Sequence, residues 1–174
     1  MMQTRSLRYL AGAASVVLAM PAQAEQTARP LTGTWRGRYV CAQGPTGLTL
    51  TIDRQSGPDF SGTFHFYPPR GNPNAREGCF AVKGRVEADR SVTVEAGEWM
   101  TRPPGYITVD LHGMLGQSGL SMTGDVVTPP QLGPLCKRFE LNWHGARTAI
   151  DSICRGAGLQ VLRDVAVPAA VAPQ

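Results

Sequence analysis

Leu48-Thr49-Leu50-Thr51-Ile52-Asp53 alternates apolar and polar side chains at every step, the period of a strand with one buried and one wet face. The same rhythm continues on both sides of it. Upstream, Thr34 to Cys41 sets Trp35, Gly37, Tyr39 and Cys41 against Arg36, Arg38 and Val40; downstream, Phe64 and Phe66 alternate with Thr63, His65 and Tyr67. Further runs carry Phe80, Val82, Gly84 and Val86; Val92, Val94 and Ala96; Ile107, Val109 and Leu111; Leu120, Met122, Gly124 and Val126; and, from Leu135 to Trp143, Phe139, Leu141 and Trp143. Turns rich in Gly, Pro, Asn or Asp separate them. Half-buried runs joined by local turns predict antiparallel strands, and closing the sheet removes its two open edges. The expected fold is all-β: an eight-stranded antiparallel up-and-down barrel, with a β-sandwich as the alternative.

The chain has 174 residues, 20 of them glycine and 14 proline, which suits one compact domain and excludes collagen, coiled coil and wholesale disorder. The only long apolar stretch, Leu7 to Ala24, follows Arg5 and Arg8 and ends in Ala22-Gln23-Ala24. This pattern reads as a secretory signal peptide over residues 1–24. No second run is long enough to span a bilayer, so the mature protein is expected to be soluble, monomeric, and periplasmic or secreted. Residues 25–32 read as a flexible lead and 33–143 as the barrel. After His144 the period changes: Ala146, Ala149, Ile150 and Ile153 recur at helical spacing before Gly156 and Gly158. A short α-helix within 144–160, packed outside the barrel, is therefore expected, with a mobile tail over 161–174.

Loss of Arg5 and Arg8 with the signal segment leaves 15 Lys and Arg against 13 acids, a formal +2 in place of +4. These charges are scattered, without a basic run, so nucleic acid is not an expected partner. Cys41, Cys79, Cys136 and Cys154 all follow the signal segment and contain no C-x-x-C pair. An even count in an oxidising compartment favours two disulfides over a metal site. In a closed barrel the first and last strands are neighbours, which brings Cys41 to Cys136 and leaves Cys79 for Cys154. Cys41 shares the face of Tyr39 and Cys136 that of Arg138, so the first pairing requires a bulge or a relaxed strand end.

Alternating strand direction places every second connection at the same end. One end collects Ala42–Gly47, Pro68–Gly78, Gly97–Gly105 and Thr128–Pro134; the other collects Arg54–Asp59, Ala88–Arg90 and Gly116–Gly119. The long set holds Pro68-Pro69, Pro103-Pro104 and Pro129-Pro130, and proline stiffens loops that must keep one shape. It also holds Arg70, Arg76, Trp99, Arg102 and, adjoining, Tyr106. Aromatic and Arg anchors are enriched in binding patches, which nominates these five as a recognition rim. The alternative is that Trp99 is a lid on the core. Gly37, Gly84, Gly113 and Gly124 fall on the inward face, where they either permit strand coiling or leave a pocket.

Catalytic patterns are weak. His65, His112 and His144 lie on separate runs without H-x-H or H-E-x-x-H spacing. Asp110 and His112 share a strand face in the manner of a base with its carboxylate, but a wet face accounts for both. Gly116-Gln117-Ser118-Gly119 is a turn without the helix that a nucleophile elbow requires. No enzyme activity, cofactor or metal is expected.

Leu31-Thr32-Gly33-Thr34-Trp35 resembles the opening Gly-x-Trp strand of avidin-like and lipocalin-like barrels. The resemblance implies the same strand count and, from lipocalins, an external C-terminal helix and a disulfide from the fourth strand to the C-terminal segment, similar to Cys79 with Cys154. The longer string Gly33-x-Trp35-x-Gly37-x-Tyr39-x-Cys41-x-Gln43-Gly44, with Thr46-Gly47-Leu48, Trp99, Pro104-Gly105-Tyr106 and Cys136, resembles an uncharacterised bacterial exported β-barrel domain over residues 31–143. The biotin-site residues of avidins are not placed on this sequence, so biotin binding is not implied. Tyr39-x-Cys41-x-x-Gly44 is also similar to the start of small periplasmic inhibitors of C-type lysozyme, although their Ser-Gly-x-Lys-Tyr stretch is absent.

The sequence thus points to an exported, non-enzymatic binding module whose long-loop rim takes an envelope protein, a glycan or a small molecule. A periplasmic hydrolase inhibitor or immunity-type protein, with Trp99 and Thr101 to Tyr106 as its plug, is a second reading. A carrier of a small apolar ligand in the barrel calyx is a third.

Overall fold

A computed structural model describes residues 29–155; the expected signal peptide and the 161–174 tail lie outside them. Strands β1 (Gly33–Cys41), β2 (Gly44–Ser56), β3 (Asp59–Tyr67), β4 (Gly78–Val86), β5 (Ser91–Thr101), β6 (Asp110–Leu115), β7 (Ser121–Val127) and β8 (Cys136–Gly145) form one closed antiparallel barrel in chain order. The alternation sets the register. Trp35 faces Leu50, Leu50 faces Phe64, Phe64 faces Phe80, and β8 closes on β1 with Trp143 opposite Trp35. Inside, Trp35, Tyr39, Leu48, Leu50, Ile52, Phe64, Phe66, Phe80 and Leu111 are at most 4% exposed. An apolar interior under a largely polar exterior is the reverse of what a barrel in lipid requires. Among the described residues no helix is long and apolar enough to cross a membrane.

The inward glycines close the barrel tightly. A Cβ at Gly37 would overlap the Glu140 carbonyl, and one at Gly124 would overlap the backbone of His112 and Gly113. The rings of Phe60 and Phe139 take up the room that a side chain would use at Gly84 and Gly113.

Both disulfides pair as expected, Cys41 with Cys136 and Cys79 with Cys154. The β1–β8 register breaks between Tyr39 and Cys41, which brings Cys41 opposite Cys136 despite their conflicting parity.

Three expectations need correction. No α-helix forms over residues 144–155: the chain leaves β8 in an irregular course and makes only a 3-10 turn at Ser152–Cys154. The reason is reach. From β8 to β4 the segment crosses four strand spacings, about 19 Å, in nine residue steps (154 − 145), whereas a helix of that length covers only about 13 Å. Tethers also engage carbonyls that a helix would use internally: the hydroxyl of Thr34 donates to Arg147 O and that of Thr101 to Ile153 O. Secondly, the connection placed at Ala42–Gly47 is only the turn Ala42-Gln43, because Cys41 already pairs with Gly44, and Gly97 to Thr101 belong to β5. Thirdly, residues 29–32 of the expected lead are packed. Leu31 is buried, its carbonyl accepts from Trp35 Nε1 at 2.8 Å, its N–H donates to Gln55 Oε1, and Arg29 lies over the Trp143 ring.

Candidate functional site

The remaining long loops, Pro68–Glu77, Arg102–Val109 and Thr128–Leu135, all lie at the end where β1 finishes. Together they make the mouth. Four of the five rim residues converge there. Trp99 is half-buried and meets Phe66 and Phe80 edge-on, while Tyr106 stacks on Phe66 with ring centroids 5.4 Å apart. The Arg76 backbone N–H donates to the Tyr106 hydroxyl at 2.9 Å. Arg102 Nε donates to the Tyr106 carbonyl at 3.2 Å, and its guanidinium lies 5.7 Å from the Trp99 ring centroid. Arg70 is exposed in the first of these loops and joins none of these contacts. The two aromatic rings therefore seal the top of the core, and the cations are left facing outward.

Beside Tyr106 the mouth has a shallow recess of about 240 Å³, lined by Tyr39, Gln43, Ile107, Val109 and Leu135 among others. Burial pushes the Tyr39 hydroxyl well above its ordinary pKa, the neighbouring Tyr106 adds to the rise, and hydrogen bonds from Thr46 and Gln43 oppose it.

A second region lies outside the barrel. Residues 146–155 form a strap across the outer wall of β1–β4 that reaches the Cys79–Cys154 bond. Between strap and wall is a cleft of about 1050 Å³. Strand pairing orders its wall into rows. Thr34 faces Thr51, which faces Thr63; Arg36 faces Thr49, which faces His65, which faces Cys79. The strap covers side chains that strand alternation would leave wet, so Thr51 and Thr63 are 4% exposed and His65 is 9% exposed. His65 Nε2 lies 2.8 Å from Glu77 Oε1, a contact that requires Nε2–H to donate to the carboxylate. Arg36 and His144 approach within 3.3 Å at the near end, and Arg147, Asp151 and Arg155 line the strap side.

Sequence reasoning missed this cleft because each polar position reads singly as a solvated strand face. The available signal was Cys79: it points outward beside His65, so its bond to Cys154 must draw the C-terminal segment over that face. Asp110 Oδ1 accepts the Ala96 N–H at 2.8 Å where β5 parts from β6, and His112, on the same strand face, is exposed. No protein-family model, no curated protein and no solved structure matches the chain.

Proposed function

We propose that the chain is an exported, non-enzymatic binding module that recognises an anionic partner of the cell envelope with the mouth of its barrel. Export is supported by the signal-peptide pattern of residues 1–24 and by two disulfides, which persist in oxidising surroundings. The observation that carries the recognition reading is the way Tyr106 holds the cationic loops. One aromatic residue, stacked on the core, accepts from the Arg76 backbone through its hydroxyl and from the Arg102 side chain through its carbonyl. Arg70, Arg76, Arg102 and Lys137 are all exposed at this end. Guanidinium groups on loops of fixed shape lose little freedom when they pair with carboxylate or phosphate.

The test is retention of a purified envelope fraction on the immobilised protein, compared with the double variant Arg76→Ala/Arg102→Ala. The species retained is then isolated and its affinity measured. The double variant is expected to bind it at least tenfold more weakly with an unchanged melting temperature, and added salt should weaken the wild type. Equal affinity of the two proteins for the isolated species would overturn the reading.

A further inference from the structure

We propose that the cleft beneath the strap is a binding site for a short acidic saccharide, independent of the mouth. Polar groups are left within reach of the cleft. Among the described residues no hydrogen bond engages the Thr49 and Thr51 hydroxyls, and Thr63 has only the Met100 sulfur at 4.0 Å; none of the three is sealed off, the one buried side-chain polar atom without a partner being Trp143 Nε1. A strap that served only to cover the barrel would be expected to place apolar side chains on apolar wall. This one roofs a grid of three threonines, an arginine and a histidine, and it leaves about 1050 Å³ between. That volume is at the upper end of small-molecule sites and has room for several sugar rings.

The cleft also pairs an apolar surface with charge. Tyr67, on the same face as Thr63 and His65, lies across the wall where Gly47 has no side chain; a Cβ there would collide with the ring. A half-buried ring packed against the Gly47 backbone and lining the cleft suits the C–H face of a sugar, an apolar body with a polar edge. Around it, threonine hydroxyls both donate and accept, as sugar hydroxyls do. The Glu77 carboxylate is engaged by His65, whereas Arg36, Arg147 and Arg155 are exposed along the cleft, opposed by Asp151. The balance of charge points to a ligand carrying carboxylate or phosphate, held by an arginine fork.

The experiment is titration calorimetry with a galacturonate trimer, with maltotriose as the uncharged probe. The proteins are the wild type, Thr51→Val, Arg36→Gln, and a Cys79→Ser/Cys154→Ser double variant that keeps the Cys41–Cys136 bond. Wild type is expected to bind the galacturonate trimer at least tenfold more tightly than maltotriose. Thr51→Val, which keeps the side-chain shape, and Arg36→Gln should each weaken binding tenfold or more. Releasing the strap should abolish binding while the far-ultraviolet circular dichroism of the barrel persists. Failure of the trimer to bind the wild type, or equal binding of both sugars, would overturn the proposal. So would trimer binding that survives Arg36→Gln and is lost in Arg102→Ala, which would place it at the mouth.

Discussion

At the mouth, Trp99 and Tyr106 fold their rings onto Phe66, on the inner face of β3, and leave a recess of about 240 Å³. On the outer face of that strand, Thr63, His65 and Tyr67 look into a cleft of about 1050 Å³ under a strap. The mouth is closed by aromatic burial and the cleft by a covalent bond. This difference separates what each region does for stability from what it leaves free to bind. Rings stacked in a core are committed to the fold, whereas hydroxyls that line a cleft under a tethered segment stay within reach of a ligand.

The two disulfides break this comparison most forcefully. Replacing Cys41 and Cys136 by serine opens the seam where β8 meets β1. It frees a span of 95 residues in the unfolded chain, an expected loss of about 4 to 5 kcal/mol in the chain-entropy model. The Cys79–Cys154 bond spans 75 residues, and the same model gives a similar constraint. Here, though, the folded state recovers part of the loss, because the strap can detach while the barrel stays closed and its residues regain freedom. The strap variant should therefore lose less stability to urea than the seam variant, and limited trypsin digestion should cut it early at Arg147 with the barrel core intact. Equal urea losses with no early cut would show that the strap is part of the cooperative core.

The barrel was legible because its evidence is redundant. Any one of Leu48-Thr49-Leu50, Thr63-Phe64-His65 or Phe139-Glu140-Leu141 is ambiguous, but together they leave one apolar face per strand that only closure hides. The seam disulfide was legible for the same reason, and even its parity conflict foretold the break between Tyr39 and Cys41. The strap was not. Ala146, Ala149, Ile150 and Ile153 have helical spacing, yet the course of this segment is set by where Cys79 lies, a constraint between residues 75 apart that no local period encodes. At the mouth, the residue set was readable and its division of labour was not. Whether Trp99 faces a partner or the core depends on Phe66 and Phe80 arriving from other strands.

That division gives the next prediction. Trp99→Ala removes a ring packed edge-on against two core phenylalanines and should cost about 3 kcal/mol of unfolding free energy. Arg102→Ala, at an exposed side chain whose bond is to a loop carbonyl, should stay within about 0.5 kcal/mol while weakening partner binding. Urea midpoints of the two variants measure the contrast. A Trp99→Ala protein as stable as wild type would return Trp99 to the recognition surface and remove the lid from the account of the mouth.

The smallest effect lies at Tyr39, where the mouth meets the core. Burial raises the pKa of its hydroxyl in the folded protein above the ordinary value of 10.0. At higher pH the unfolded chain gives up this proton and the folded chain retains it, so the folded state binds more protons and stability falls as pH rises. The contribution is fully present below about pH 10 and is lost above it at no more than about 1.4 kcal/mol per pH unit. The neighbouring Gln43 Nε2 donates to this hydroxyl at 3.3 Å and Thr46 also bonds it, so Tyr39→Phe removes these modest bonds along with the titration. Urea unfolding at pH 9, 10.5 and 11.5 should show the wild type losing stability more steeply than Tyr39→Phe over the upper two values. Parallel slopes would mean that the recess beside Tyr106 admits enough water to ionise the hydroxyl in the folded barrel, making the mouth as open to solvent as the cleft.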